Sequence, residues 1–282
     1  MKFENIRVYN FENALRGMRN PKNSWHLSDS KFGYVHERND TLSPLLEEVA
    51  ETWTEYWASQ PDYVDERDKE AQRQSYINWL VANGVHNCGE GIYEYNLIGP
   101  KDMKLAKALI CGGSEHRKFL RQIMVTVDIT APLYWWKEFD TYKVGTTANS
   151  TSTMHKLDSK PITLDCFEID DYDDSILTDY MPHPLPVGLL VDDFIDFLEN
   201  LRQKYIETKD KRYWKELVRW LPEGWLQTRT VTMNYENLLS MAHQREHHKQ
   251  TEWSGTDDKI ATPSFIKFAK ALPYASDFIF VK

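Results

Sequence analysis

Between Gly145 and His155 the chain reads GTTANSTSTMH, with four Thr, two Ser and one Asn in eleven residues. Small hydroxyl and amide side chains compete for backbone hydrogen bonds and disfavour regular helix, so this stretch is expected to be a loop. It directly follows an aromatic segment, LYWWKEFDTY. Its backbone N–H groups, from Gly145 to Ser152, suit the cradling of a phosphate. The chemistry such a loop offers is binding and orientation of an anionic ligand, since it carries no activated nucleophile. No Ser-His-Asp or Cys-His arrangement stands out elsewhere. His243 and His247 are spaced i,i+4, but no Glu follows the first His in the H-E-x-x-H manner and no Cys joins them, so no metal centre is expected.

The whole-chain numbers narrow the partners. With 282 residues, 41% hydrophobic and 27% charged, the composition is that of a globular protein long enough for a full core. Net charge is -9, from 34 basic and 43 acidic residues. Duplex nucleic-acid binders usually carry a basic surplus, so no nucleic-acid partner is expected. No apolar run approaches the roughly 20 residues that span a bilayer, and MKFENIRVYN lacks a signal-peptide core, so no membrane partner and a cytoplasmic location are expected. Cys88, Cys111 and Cys166 are far apart and form no C-x-x-C pair, which disfavours a disulfide framework. The ten Trp point to a heavily packed core or a subunit interface.

The elements that must hold the loop follow from periodicity. Ser43-Pro44 reads as the start of a helix carrying Leu46, Val49, Trp53 and Trp57. Residues 66 to 83 continue with Tyr76, Trp79 and Leu80 on one face, until Gly84, Asn87, Gly89 and Gly91 break the pattern. Asp102 is placed to cap MKLAKALIC, and Ser114 to cap a short helix bearing His116, Phe119 and Leu120. IMVTVDIT (123 to 130) alternates and is β-branched, so a strand is expected there, with Pro132 opening the aromatic helix after it. Residues 158 to 190 look loop-like, with a solvated acidic run from Glu168 to Asp174 and prolines at 182, 184 and 186. A helix over 191 to 208 buries Phe194, Phe197, Leu198, Leu201 and Tyr205. Further helices are expected over 213 to 221, over 234 to 250, and from Thr262-Pro263 through FIKFAKAL, with TRTVTM extended between them. Many helices around few strands make an α+β protein.

The segment SEHRKFLRQIMVTVDITAPLYWWKEFDTYKVGTTANSTSTMHKL resembles the core of the flavin-dependent thymidylate synthases. That family carries H-x-x-x-x-E-H, then F-T-F-x-[IV], a turn with Pro, and a helix ending in R-H-R-x-x-S-x-N-E-x-S-x-R-Y. Laid on it without a gap, His116 falls on the flavin-contacting His, Thr126 on the strand Thr and Ala131-Pro132 on the turn. R-H-R becomes Thr141-Tyr142-Lys143, the first Ser becomes Thr146, N-E becomes Ala148-Asn149, the second Ser becomes Thr151, and Arg-Tyr becomes Thr153-Met154. RYWKELVRWLPEGWLQTRTVTMNYENLLSMAHQREHH is similar to the later A-R-x-x-L-P and T-x-x-x-W-T-x-N-x-R-x-L-x-x-F-L-x-x-R pattern. Pro222 and Asn234 match there, Arg245 falls on a phosphate-binding Arg, and Arg219 is one position off another. The likeness covers roughly 100 to 253 and, more weakly, the N-terminal MKFENIRVYNFENALRG. None of the three motif Arg is kept.

The resemblance implies a single domain over 1–282 with a small, mostly antiparallel sheet, several long helices and an N-terminal helical insertion at about 20–98. It implies FAD contacts at His116, Lys118, Thr141, Tyr142, Lys143 and Asn234. Substrate contacts are implied at Glu138, Asn149, Thr151, Ser152, Thr153, Arg219 and Arg245. The reaction implied is methylation of dUMP at C5 of the uracil, with methylenetetrahydrofolate giving the carbon and NADPH reducing the flavin, in a homotetramer with shared sites. No enzymatic nucleophile is needed there, because the cofactors carry the hard step and the protein positions them. Lys143 keeps a charge where the family has Arg but loses the planar fork that grips phosphate bidentately. A changed pyrimidine nucleotide, transfer of a hydroxymethyl group, or a nucleotide-binding regulatory protein without catalysis are therefore the alternative readings. An unrelated helical interaction protein would lack a strand at 123 to 130 leading into a helix at 132 to 142.

Overall fold

The computed structural model describes residues 1–36, 41–61, 65, 67–179, 183–255 and 263–281. The helix opening read at Thr262, the loop proline at 182 and residue 66 of the second helix lie outside them. In chain order the elements begin with β1 (Lys2–Tyr9), α1 (Phe11–Arg19), β2 (Lys31–His36), α2 (Leu42–Ala58) and α3 (Lys69–Gly84). A hairpin β3 (Val85–Gly89) and β4 (Ile92–Leu97) follows, then α4 (Pro100–Cys111), β5 (Met124–Pro132) and α5 (Leu133–Phe139). Next come β6 (Thr147–Ser150), α6 (Thr153–Lys156), β7 (Leu177–Thr178), β8 (Leu185–Pro186), α7 (Val187–Thr208) and α8 (Lys211–Trp220). The chain closes with β9 (Leu226–Asn234), α9 (Tyr235–Arg245), α10 (Thr251–Ser254), α11 (Phe265–Lys270) and α12 (Ala275–Phe278). This is the α+β architecture that the periodicity predicts. Strand β5 runs straight into α5, which an unrelated helical protein would not require.

A four-stranded sheet has the order β1-β5-β9-β6, a three-stranded sheet β2-β4-β3, and a two-stranded ribbon joins β7 and β8. The chain divides into two compact units, with dividing points inside β1, β5 and β9. One unit holds 1–6, 126–232 and 246–267; the other holds 7–125, 233–245 and 268–282.

In the first unit, β5 alternates as its sequence demands, with Val127, Ile129 and Ala131 fully buried. A separate core gathers Leu157, Ile162, Phe167, Ile195, Leu198 and Leu217 from α7, α8 and the segment before them. The buried residues of α7 are Ile195, Leu198 and Arg202, with Leu201 packed against the same core, so of the predicted stripe the two leucines hold and the two phenylalanines do not. Phe194 and Phe197 stay 36% and 42% exposed. The helix also starts at Val187, so the aromatic spacing marked a face adjacent to the packed one.

In the second unit, the first third carries α2 and α3 as predicted, with Trp53 stacked on Tyr76 at 5.7 Å. It also carries the three-stranded sheet, which the glycines concealed. Gly89, Glu90 and Gly91 all have positive φ and form the tip of the β3–β4 hairpin, where left-handed residues are needed. Gly84 ends α3, and strand β3 separates it from this turn. Tyr274, fully buried, holds this unit together. Its hydroxyl donates to the Asn96 carbonyl at 2.6 Å and accepts from the Ile98 amide at 3.3 Å. A Cβ on Gly84 would lie 2.5 Å from the Asn96 carbonyl oxygen and 2.6 Å from that hydroxyl, so the end of α3 must be glycine for the sheet to approach. Tyr274→Phe leaves two buried backbone groups unpaired and should cost about 1–3 kcal/mol in a denaturation experiment. A loss below a few tenths would show those groups find other partners.

Three predicted caps are corrected. Helix α4 begins at Pro100, and Asp102 lies inside it, fully buried, accepting from Arg19 Nε at 2.5 Å rather than capping. The capping role belongs to Asp29, whose carboxylate accepts from the Lys101 and Asp102 amides at 2.9 and 3.2 Å. Helix α2 begins at Leu42, with Thr41 rather than Ser43 as the residue before its first turn. Ser114 opens no helix: residues 114–116 form a turn, followed by a 3-10 segment Lys118–Gln122.

Candidate functional site

Helix α5 sets the geometry. Its first two amides, Leu133 and Tyr134, donate to the Trp225 and Glu223 carbonyls at 3.1 and 3.2 Å, so the start of the helix is tied to the turn before β9. Trp135, Trp136 and Phe139 are buried. Trp135 stacks on Trp253 at 4.4 Å and on Phe139 at 5.2 Å, and Trp136 meets it edge-on at 4.9 Å. The Trp136 indole donates to the Gln227 carbonyl at 2.9 Å, fixing the ring against β9. The two tryptophans are thus core residues.

After α5 the chain turns through Thr141 and Tyr142, and the predicted loop 145–155 becomes two elements. Thr147–Ser150 is the exposed edge strand β6, antiparallel to β9, with Asn149 opposite Thr230 and Ser150 opposite Arg229. Thr153–Lys156 is a short helix. The extended preference of TRTVTM supplies a pairing partner that a local reading of the polar run does not contain.

The register puts Arg229 beside α5. Its guanidinium carbon lies 4.1 Å from the centre of the Trp136 ring. Nε donates to Gln227 Oε1 at 2.9 Å, and Nη1 donates to Asp140 Oδ1 at 2.7 Å. Gln227 is held in turn through its amide, which donates to the Thr151 carbonyl at 3.0 Å. Stacking and two hydrogen bonds fix a planar guanidinium that is only 15% exposed. It lines a pocket of about 440 Å³ with Phe139, Asp140, Tyr142, Lys143, Thr146 and Ala148. Lys143 is exposed and has no ion-pair partner among the described residues. The Thr146 hydroxyl donates to the Tyr142 carbonyl and keeps its lone pairs. Lys143, Arg229, the Thr146 hydroxyl and the rings of Phe139 and Tyr142 suit an anion attached to a flat group, with the Asp140 carboxylate, bonded to Arg229, as the one opposing charge in the lining. Arg229 was not singled out from the sequence. The signal for it was an Arg at a non-core position of a β-branched strand.

The remaining candidates fall in several places. Glu138 pairs with His248 at 3.3 Å, and Thr141 donates to the Glu138 carbonyl at 2.7 Å. The Thr151 amide donates to the Thr228 carbonyl at 2.9 Å, Ser152 is half-buried, and Thr153 opens α6. Arg219 sits on an exposed side of α8, paired with Glu216 one turn away. The other four belong to the second unit. His116 lies exposed in its turn, and Lys118 pairs with Glu115 at 3.2 Å with both side chains mostly exposed. That turn is fastened to α9 by Arg117, whose Nε donates to both carboxylate oxygens of Glu236 at 3.0 and 2.9 Å. Asn234 caps α9: its side chain accepts from the Asn237 amide at 2.9 Å, and the Asn237 side-chain oxygen accepts from the Asn234 amide at 3.2 Å. Arg245 is the last residue of α9 and half-buried. Because α9 ends there, His247 lies beyond it and does not share a helical face with His243. Among the described residues no cluster of metal-ligating side chains occurs.

The acidic run is not uniformly solvated. Glu168 is half-buried, and that burial raises its carboxyl to about 7 against an ordinary 4.5. The folded chain therefore holds a proton that the unfolded chain releases, so this group's stabilising contribution is full below about 4.5 and is lost as pH rises to about 7. Glu168→Gln should flatten the pH dependence of the unfolding free energy across that window. Parallel curves for the two proteins would contradict it. Tyr134 donates to Glu252, and burial together with that carboxylate pushes its phenol far up.

No described helix is long and apolar enough to cross a membrane. No family model matches the chain, and no curated protein matches it. Among solved structures it is similar to the flavin-dependent thymidylate synthase ThyX of Helicobacter pylori complexed with FAD and dUMP. Identity there is 13%, over 87% of this chain and 95% of that one, with a TM-score of 0.42. It is also similar to the UMP/dUMP methylase PolB of Streptomyces cacaoi bound with 5-Br dUMP, at 15% identity over 65% of this chain and 83% of that one, with a TM-score of 0.43.

Proposed function

We propose that this chain binds a pyrimidine deoxynucleotide, with dUMP as the reference ligand, and takes part in flavin-dependent one-carbon transfer to C5 of its base. The observation that carries this reading is the pocket where Tyr142, Lys143 and Thr146, positions of the family's motif, meet the fixed guanidinium of Arg229. Arg229 supplies from β9 the kind of planar donor that the motif itself has lost.

The donor set fits a phosphate-bearing group such as FAD or the nucleotide. Tyr142 and Lys143, which line the pocket, stand where the resemblance puts flavin contacts. FAD, reduced by NADPH, would supply hydride, and methylenetetrahydrofolate the carbon. The protein's own work is positional. Arg229 holds an anion through a fork already oriented by Asp140, Gln227 and Trp136, so little ordering is left for the binding step. Thr146 and the edge strand β6 offer hydrogen bonds, and Lys143 adds charge from the rim. We read residues of about 20–98 as an insertion in one family domain, and the assembly as a cytoplasmic homotetramer.

One observation favours a second reading, a nucleotide-binding protein without catalysis. Both Arg219 and Arg229 are already paired with carboxylates, Glu216 and Asp140. The experiment is a visible absorption spectrum of the protein after incubation with FAD and desalting, followed by dUMP titration of the flavin band. Retained flavin that responds to dUMP supports the transferase. Binding of dUMP without flavin supports the second reading. Chromatography of the nucleotide product then separates methyl from hydroxymethyl transfer.

A further inference from the structure

The second unit carries a pocket of its own, of about 530 Å³, that the nucleotide site does not use. Its floor is one face of the β2–β4 pair. Phe32 is opposite Asn96 and Tyr34 opposite Glu94, so the alternation of a strand turns these four side chains the same way. Gly33 between them is matched to Tyr95, and a Cβ there would lie 2.7 Å from the Tyr95 hydroxyl oxygen. Tyr9 and Glu12, from the end of β1 and the start of α1, complete the wall.

The chemistry of the lining is one-sided. Two carboxylates and four aromatic residues, Tyr9, Phe11, Phe32 and Tyr34, line the space, and among the described residues no basic side chain lines it. The lining amides are largely occupied: Asn13 donates to Asn10 at 2.7 Å, Asn10 donates to the Gln122 carbonyl at 2.9 Å, and Asn96 donates to Glu94 at 3.3 Å. Tyr34 is 68% exposed, so its ring is open to a ligand in this space. Glu94, then burial, and less strongly Cys88 and Glu12 push its phenol up, which records how negative the space is. Aromatic faces attract cations through their quadrupole, and carboxylates supply the charge. An anion is repelled by this set.

We propose that this pocket binds a protonated alkyl diamine or polyamine, its ammonium groups at Glu94 and Glu12 and its methylene chain along Phe32, Tyr34 and Tyr9. The site is independent of the nucleotide reading and would stand if that reading failed.

The test is calorimetric titration of the full chain with spermidine at constant ionic strength. Saturable binding is expected, weakened about tenfold in Glu94→Gln and in Tyr34→Ala, and little changed in Tyr34→Phe, which keeps the ring. Tyr34 is exposed, so its variants test binding without unfolding the sheet; circular dichroism checks this. Asp173→Asn, an exposed carboxylate in the other unit, serves as the control and should leave affinity unchanged. Equal weakening in Glu94→Gln and Asp173→Asn would overturn the proposal, because net charge alone would then attract the polycation. Absence of saturable heat would overturn it as well.

Discussion

Arg229→Gln should weaken dUMP binding about tenfold to a hundredfold, the usual range for losing a charged hydrogen bond of about 1.5–3 kcal/mol. The effect is large because this guanidinium is held in place before the ligand arrives. It lies 4.1 Å from the Trp136 ring centre and is bonded to Gln227 and Asp140. Lys143→Gln should matter less, since Lys143 is exposed and its flexible stem must be ordered on binding. Asp140→Asn gives the opposite sign. It removes the competing carboxylate at 2.7 Å and should tighten anion binding while slightly lowering stability. A purely structural Arg229 would make both Arg229→Gln and Asp140→Asn destabilising and leave affinity unmoved in the folded fraction. Isothermal titration with dUMP, beside a thermal melt of each variant, separates the two roles. If Asp140→Asn weakens binding, the pocket does not recognise an anion at Arg229.

Asp102→Ala should be the most destabilising single change in the second unit, costing about 3–5 kcal/mol, because it strands a buried cation. Asp102 is fully buried and Arg19 is 5% exposed. The carboxylate also accepts from Ser28 and Ser30 hydroxyls at 2.5 and 2.6 Å, so its removal leaves several polar groups unpaired at once. The double variant Arg19→Met, Asp102→Leu should recover much of the loss, since it removes both charges and refills the space. Chemical denaturation of the three proteins measures this. A single-variant cost under about 1 kcal/mol would mean that water reaches Arg19 and that the pair is a surface-like one.

These two residues also show where local reading stops. Asp102 near the start of a helix looks like a cap because acidic residues favour helix N-termini. Its actual partner, Arg19, is 83 positions away, and nothing in the local pattern announces it. Likewise the run GTTANSTSTMH has every mark of a loop. It forms an edge strand because β9 lies alongside with backbone groups to share, and that neighbour comes from 76 or more residues later, as the Thr151–Gln227 bond shows.

The sequence by itself determined the elements whose signal is local and repeated. The alternation over 123 to 130 gives most of β5 (Met124–Pro132), Pro132 starts α5, and the amphipathic runs make α7 and α8. It also determined that a polar, hydroxyl-rich segment follows an aromatic helix. The tertiary structure alone decided the hairpin and three-stranded sheet hidden in the glycine-rich stretch, the buried face of α7, and the placement of Arg229. The last is a matter of register: slipping β9 by one residue against β6 would turn Arg229 to the opposite face of the sheet. Register is set by pairing between strands far apart in the chain and by the packing of their buried faces, neither of which is written in any short window of residues.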